Sequence, residues 1–363
     1  MRDYYFNLPS LGDLTLDQRS ALRESGAISI EGGAGSGKSL VSMFRHLALN
    51  DDTHSCQLLT YTNTLSYYFR SCMKSQGNNK AAMNVAKSMS WSPRQRDEII
   101  VDEAQDVSLD VYQRFLNHTS RLSYGADNAQ QLYPKNGTDS AALGAFLRNN
   151  RTFRLNRNFR NAQEILRLAS RAFPSAHVSD TAISQCRSNG FLPDLYITGN
   201  YSKYDKINHD RDNKIIEIIR AYISEYNHNI AVLCPWQSNV EYYRNLLQRE
   251  FPGLSYYGSD IEHSLDEGMK QLHITTFKSA KGLEFECSAI QDKSKNYTFI
   301  SNHRDIVLDS AFLSVVLIEN GMNTVEIAIG DNLLIYPWIK KLVRINKSFT
   351  VKRGLGLREQ LKS

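Results

Sequence analysis

Short apolar runs alternate with amphipathic stretches along most of the chain. The runs at 27–30, 57–60, 99–101, 121–123, 230–233, 272–275 and 325–329 have the length of buried strands. Between them, 37–49, 109–117, 162–173, 214–225 and 240–250 place apolar residues at helical spacing. Such alternation predicts parallel sheets, because consecutive parallel strands need a crossover long enough to hold a helix. The runs fall into two groups, one before about residue 150 and one after. The prediction is an α/β protein with a first lobe over 1–151, a second over 152–339 and a tail over 340–363.

Composition agrees with more than one buried core: the 363 residues are 41% hydrophobic and 22% charged, as in globular chains. The most apolar long stretch, 311–329, is broken by Glu319, Asn320 and Glu326, so no membrane span is expected. The first residues carry Asp3 and no apolar stretch of signal length, and the five cysteines are scattered and never spaced as CxxC. They read as reduced thiols of a cytoplasmic protein, with neither a zinc site nor a disulfide framework.

The strongest local chemistry is EGGAGSGKS at 31–39. Gly32, Gly33, Ala34, Gly35, Ser36, Gly37, Lys38 and Ser39 fit G-x-x-x-x-G-K-[ST] between a predicted strand and a predicted helix. Glycines let successive N–H groups face one phosphate, Lys38 would reach the β and γ phosphates, and Ser39 would hold Mg²⁺. The implied ligand is a nucleoside triphosphate, ATP with Mg²⁺. A second signal, IIVDEAQD at 99–106, ends a predicted strand in Asp102 and Glu103. A carboxylate at the carboxyl end of a strand faces the ligand crevice of an open α/β sheet, so Asp102 suits the same Mg²⁺ and Glu103 suits deprotonation of water. Taken alone, an acidic pair there is more commonly a helix cap.

With DEAQD the chain resembles superfamily 1 DNA helicases of the UvrD/Rep kind, over about residues 14–286. LTLDQRSAL is similar to the family's Q motif, which puts Gln18 on the adenine edge. LLTYTNTL is similar to motif Ia, which puts Thr60, Tyr61, Thr62 and Asn63 on single-stranded DNA. SYGADNAQQLY resembles motif III, with Gln130 sensing the γ phosphate and Tyr133 toward DNA. FRLNRNFRN resembles motif IV, with Phe159 stacking on adenine and Arg160 reaching the γ phosphate. ITTFKSAKGLEFE resembles motif V, with Thr276 and Lys278 near the DNA backbone and Gly282 and Glu284 near the nucleotide. The resemblance implies two RecA-like P-loop NTPase lobes with the nucleotide in the cleft between them. It also implies a DNA-dependent ATPase acting on single-stranded DNA or a single-strand/duplex junction, with 3′-to-5′ polarity, alone or beside a partner protein such as a nuclease or a defence or repair subunit.

Three departures shape the expectation. Only about 30 residues separate Phe69 from Ile99, and the stretch from Arg160 to Ile274 is mostly taken up by second-lobe strands and helices, so the large insertion domains of the family are not expected, only a helical decoration near 71–91. After Tyr133 come Pro134 and Lys135, where the family usually has an x-W pair whose indole stacks on a base. No TRA follows motif V: either the motif is degenerate in the best-fitting segment, 313–330, where Ile318 and Glu319 stand where Thr and Arg belong, or the chain after about residue 289 is diverged or out of frame. The alternative function is therefore a non-motor nucleotide switch with slow hydrolysis. The net charge of +5 adds nothing to the DNA reading, because residues 340–363 hold eight basic residues against one acidic, leaving 35 basic and 37 acidic before them. That tail reads either as an accessory phosphate-binding strip or as a solvated segment.

Overall fold

The computed structural model describes residues 3–33, 35–128, 137–160, 162–163, 166–167, 180–188, 194–197, 209–223, 229–234, 236–258, 261, 265, 268–276, 278–283, 285, 287–291, 298–301 and 350–353, with backbone alone at 194–197, 209–211, 214 and from 287 onward. It divides into two compact units, one over Tyr5–Phe159 and one over Arg160–Ser363 joined by the first four residues. Among the described residues no helix is long and apolar enough to cross a membrane.

The first unit runs α1 (Leu16–Arg23), β1 (Ile28–Gly32), α2 (Lys38–Ala48), β2 (Cys56–Thr60), α3 (Asn63–Ser75), α4 (Asn79–Met83), β3 (Val85–Lys87), β4 (Glu98–Val101), α5 (Leu109–Leu116), β5 (Leu122–Ala126), α6 (Ser140–Phe146) and β6 (Arg151–Leu155). Its six strands are all parallel in the order β3-β2-β4-β5-β1-β6. The central strands are the apolar runs, buried on both faces as parallel sheets require. The edges are different. The expected break at residue 151 falls on the first residue of β6, whose register with β1 carries this unit on to Phe159. In the stretch expected to hold a helical decoration, α3, α4 and the edge strand β3 are found.

The second unit carries β7 (Asp194–Ile197), β8 (Ile230–Cys234), β9 (Ser255–Tyr257), β10 (Leu272–Thr276), β11 (Cys287–Gln291), β12 (Thr298–Ser301) and β13 (Thr350–Arg353), ordered β13-β7-β12-β11-β8-β10-β9. The strands β11, β8, β10 and β9 are parallel, as expected, and β12 is antiparallel to both its neighbours. A core of Ile215, Ile219, Val232, Val240, Tyr243, Leu247, Leu272 and Ile274 joins the sheet to the helices His209–Ala221 and Gln237–Leu247. Strand β13 lies within the expected tail, and Val325–Ile329 lies outside the described residues.

A polar network closes the end of the first unit around α2 and β2. His46 is fully buried; its Nε2 donates to Ala81 O at 2.9 Å and its Nδ1 accepts from Asn50 Nδ2 at 3.1 Å. Both nitrogens are used by a neutral ring, and burial holds its pKa down at about 4. An unfolded imidazole protonates first as pH falls, near 6.5, so the stability His46 contributes is intact above that pH and is lost as pH falls toward 4. At 1.36 kcal/mol per pKa unit the window is worth about 3 kcal/mol. Urea unfolding at pH 7 and pH 4.5 should show the native sequence losing about 2 kcal/mol or more beyond what His46→Gln loses. Parallel losses would remove the buried neutral imidazole from this explanation.

Candidate nucleotide and nucleic-acid site

Strand β1 ends at Gly32, and the chain turns through Gly33, Gly35 and Ser36 into α2, whose N-cap is Gly37 with φ 90°. Two glycines here are required by geometry. At Gly37 the left-handed backbone excludes ordinary side chains, and a Cβ would lie 2.3 Å from Gln18 Nε2. At Gly32 a Cβ would lie 2.5 Å from the Leu155 carbonyl and 2.6 Å from Ser36 Oγ. The loop is thus seated against β6 and α1. Ala34 lies outside the described residues.

Lys38 and Ser39 open α2. The Lys38 ammonium donates to the carbonyls of Gly32 at 2.7 Å and Gly33 at 2.9 Å and lies 3.8 Å from Asp127 Oδ2. Ser39 Oγ donates to Asp102 Oδ2 at 2.8 Å, and Ser42 Oγ, one turn further, to Oδ1 at 3.2 Å. Asp102 and Glu103 follow β4, one strand removed from β1. The strand between, β5, carries Gly125 at the point where a Cβ would meet Asp102 Oδ1 at 3.3 Å and Lys38 Cβ at 3.6 Å. Glycine there lets α2 and the end of β4 come together over β5.

Burial, and then the charge of adjacent Glu103, hold the Asp102 carboxyl well above the usual carboxylate range, against the opposing pull of Ser39, Lys38 and Ser42. A carboxylate in that setting gains from a nearby cation. Glu103 is buried and is the one described non-glycine residue in the left-handed region, at φ 56°. Such a conformation costs on the order of 1 kcal/mol or more and clusters at functional sites. Gln105 Nε2 donates to Glu103 Oε2 at 2.6 Å.

These groups fit ATP with Mg²⁺. Ser36 Oγ is buried with no hydrogen-bond partner among the described residues, beside loop N–H groups at a helix N-terminus. Ser39 Oγ and Asp102 Oδ2, 2.8 Å apart, present two oxygens of the kind Mg²⁺ takes. Few protein ligands suit Mg²⁺, which keeps waters and phosphate oxygens in its shell.

The remaining expected residues divide by unit. Gln18 is buried at the third position of α1; its Oε1 accepts from Thr15 N at 2.9 Å and its Nε2 donates to Ser36 O at 3.1 Å. Both carboxamide atoms are therefore engaged with the helix cap and the loop. Phe159 N donates to Gly35 O at 2.8 Å, while its ring is exposed with the Arg157 guanidinium 4.9 Å from the centroid. Thr60 is buried at the end of β2, Thr62 caps α3 by accepting from Leu65 N at 3.1 Å, and Asn63 is exposed on the first turn. Tyr61 is half-buried against the core and lines a cavity of about 620 Å³ with Met89, Asp106, Leu109, Thr138 and Ala142.

Arg160, Thr276, Lys278 and Gly282 belong to the second unit. There Thr276 Oγ1 accepts from Ser279 N at 3.2 Å and donates to Ser279 Oγ at 3.0 Å, stabilising the turn that leads to Gly282, φ 79°. Lys278 is exposed on that turn. Gln130, Tyr133, Lys135, Glu284, Ile318 and Glu319 lie outside the described residues. Three residues given no role from sequence stand in the first unit's site: Ser42, Gln105 and Asp127. Asp127 had a signal, a carboxylate directly after a strand like Asp102; Ser42 and Gln105 had none beyond proximity to their motifs.

No protein-family model matches the chain, and no curated protein sequence does. Among solved structures it is similar to the arterivirus nonstructural protein 10 helicase in complex with DNA, at 14% identity and TM-score 0.37 over 76% of this chain and 55% of that one. It is also similar to the Pyrococcus furiosus Hef helicase domain, at 12% identity and TM-score 0.31 over 77% of this chain and 90% of that one. A Pif1 helicase structure gives 10% identity and TM-score 0.41 over 84% of this chain and 89% of that one. The chain spans about half the length of the arterivirus protein.

Proposed function

We propose that this chain is a nucleic-acid-stimulated ATPase of the superfamily 1 helicase kind, UvrD/Rep-like, that couples ATP hydrolysis to binding and translocation on single-stranded DNA with 3′-to-5′ polarity. The observation that carries the reading is the meeting of Lys38, Ser39, Asp102 and Glu103 at the carboxyl ends of β1 and β4. A phosphate loop without a carboxylate pair would support binding alone.

Bound ATP·Mg²⁺ supplies the phosphoanhydride bond to be broken and the charge that polarises it. The chain's own residues do the rest. The loop N–H groups from Gly33 to Ser39 and the Lys38 ammonium would hold the phosphates, and Ser39 and Asp102 would hold Mg²⁺. Glu103 would take the proton of the attacking water. Phe159, pinned by its N–H to the loop, would offer its exposed ring to the base. The resemblance assigns Arg160, Gly282, Glu284 and Gln130 to the nucleotide, and Thr60, Tyr61, Thr62, Asn63, Tyr133, Thr276 and Lys278 to the nucleic acid. The cavity beside Tyr61 supports that side of the reading. Its wall includes Asp106, Asp110 and Asp139, which repel phosphate and accept hydrogen bonds, so a base edge suits it better than the backbone.

The switch reading is favoured by one feature, the absence of a motif VI arginine. An arginine finger is worth about 10³ to 10⁵ in turnover. Steady-state ATP turnover with Mg²⁺, with and without single-stranded DNA, separates the readings. Turnover that rises with DNA supports the motor; tight nucleotide binding with turnover near background supports the switch. Failure of the native sequence to bind nucleotide, or retention of binding by Lys38→Ala, overturns both.

A further inference from the structure

Gln105 is fully buried, and three of its polar groups reach three different places. Its Nε2 donates to Glu103 Oε2 at 2.6 Å, its Oε1 accepts from Asp127 N at 3.2 Å, and its carbonyl accepts from Thr138 N at 3.1 Å. Asp127 in turn lies 3.8 Å from the Lys38 ammonium. Asp127 and Thr138 flank the stretch 129–136 that contains Gln130 and Tyr133, and Ser140 N and Oγ close the same junction by donating to Asn128 Oδ1 at 2.8 and 2.9 Å. Thr138 and Asp106, the neighbours of Gln105 in space and in sequence, both line the cavity beside Tyr61. One residue therefore links, through its side-chain amide, the candidate base and the Asp127 that neighbours the phosphate-loop lysine, and through its main-chain carbonyl the wall of the candidate base-binding cavity.

We propose that Gln105 is a positioning residue that couples nucleic-acid occupancy of this cavity to the orientation of the Glu103 carboxylate; the inference rests on the ATPase reading above. A base seated against Thr138 and Asp106 shifts the backbone that Gln105 reports on. Because Gln105 donates to Glu103, whose backbone is held in a strained conformation, a displacement of a few tenths of an ångström re-aims the carboxylate. Coupling of this kind is reciprocal in binding: nucleotide changes DNA affinity by the factor by which DNA changes nucleotide affinity.

Two variants remove the contacts without adding charge. Gln105→Met and Gln105→Leu keep most of the volume and lose both the donor to Glu103 and the acceptor for Asp127 N. Three quantities are measured on the full chain: affinity for a non-hydrolysable ATP analogue, affinity for single-stranded DNA with and without that analogue, and turnover with and without DNA. In both variants the analogue affinity without DNA should stay within about threefold of the native sequence, with thermal unfolding as the check on folding. The ratio of DNA-stimulated to unstimulated turnover should fall about tenfold or more, toward one, and the effect of the analogue on DNA affinity should vanish with it. A merely structural role lowers both rates together and leaves their ratio and the binding linkage unchanged, and that result overturns the coupling. A native chain that binds neither analogue nor DNA overturns the ATPase reading, and the coupling with it.

Discussion

Glu98→Gln is expected to destabilise the first unit by about 3 to 5 kcal/mol while leaving nucleotide affinity of the remaining folded protein unchanged. Glu98 and Arg45 are both buried and pair through two bonds, Nε to Oε1 at 2.6 Å and Nη2 to Oε2 at 2.9 Å. The other guanidinium donors go to the carbonyls of Ala21, Glu24 and Gly26, so all five N–H groups are used. Glu98 also accepts from Ser123 Oγ at 2.6 Å, and that hydroxyl accepts from Ile28 N at 2.9 Å. The network thus ties α2, β4, β5 and the turn between α1 and β1 at the amino ends of the strands, opposite the site. Removing the carboxylate charge leaves a buried guanidinium uncompensated.

The double variant Arg45→Met, Glu98→Leu makes the prediction sharper. Replacing a buried ion pair by apolar residues is often close to neutral. Here it strands three carbonyls that Arg45 had satisfied, each costing about 1 to 3 kcal/mol when left unpaired and buried. The double variant should therefore recover only part of the loss seen in Glu98→Gln. Urea unfolding followed by tryptophan fluorescence provides the measurement; full recovery would mean that solvent reaches those carbonyls.

This network shows why some of the fold was legible in the sequence and some was not. The central strands β1, β2, β4, β5, β8 and β10 announce themselves because both faces are buried, which demands consecutive apolar residues. The edge strands do not. In β6, Arg151, Thr152 and Arg154 are exposed, so the strand reads as a polar stretch, and β3 and β9 are three residues each. Site residues follow the same logic. Lys38, Ser39, Asp102 and Glu103 sit in motifs whose spacing is local and is fixed by one loop or one strand end. Gln105 meets Asp127 across 22 residues and Arg45 meets Glu98 across 53, and no periodicity encodes which distant carbonyl or carboxylate a buried polar side chain will find. Gln18 adds a contact its motif does not encode: its amide also caps α1 and holds Ser36.

The other large effect is expected at Glu103. With Glu103→Gln, turnover should fall by about 10² to 10⁴, the range for loss of a general base, while nucleotide affinity is kept or increased. The substitution preserves shape, and the new amide still offers its oxygen to the Gln105 donor at the position of Oε2. What it removes is the ability to take a proton, together with a negative charge beside Asp102. Asp102 is held above the usual carboxylate range by burial and by the Glu103 charge, so loss of that charge favours ionised Asp102. The variant should therefore bind nucleotide with Mg²⁺ at least as well as the native sequence and unfold at a higher temperature. Lower activity with higher stability is the signature of a group retained for chemistry at a cost to the fold. Lys38→Ala should give the contrasting pattern, because on the proposed reading it takes a cation from the phosphates, and it also takes from Asp127 the ammonium at 3.8 Å; affinity should fall together with turnover. Single-turnover hydrolysis beside equilibrium binding of a fluorescent nucleotide reads both patterns. If Glu103→Gln keeps native turnover, the proton goes to another acceptor and Glu103 is confined to an electrostatic role next to Asp102.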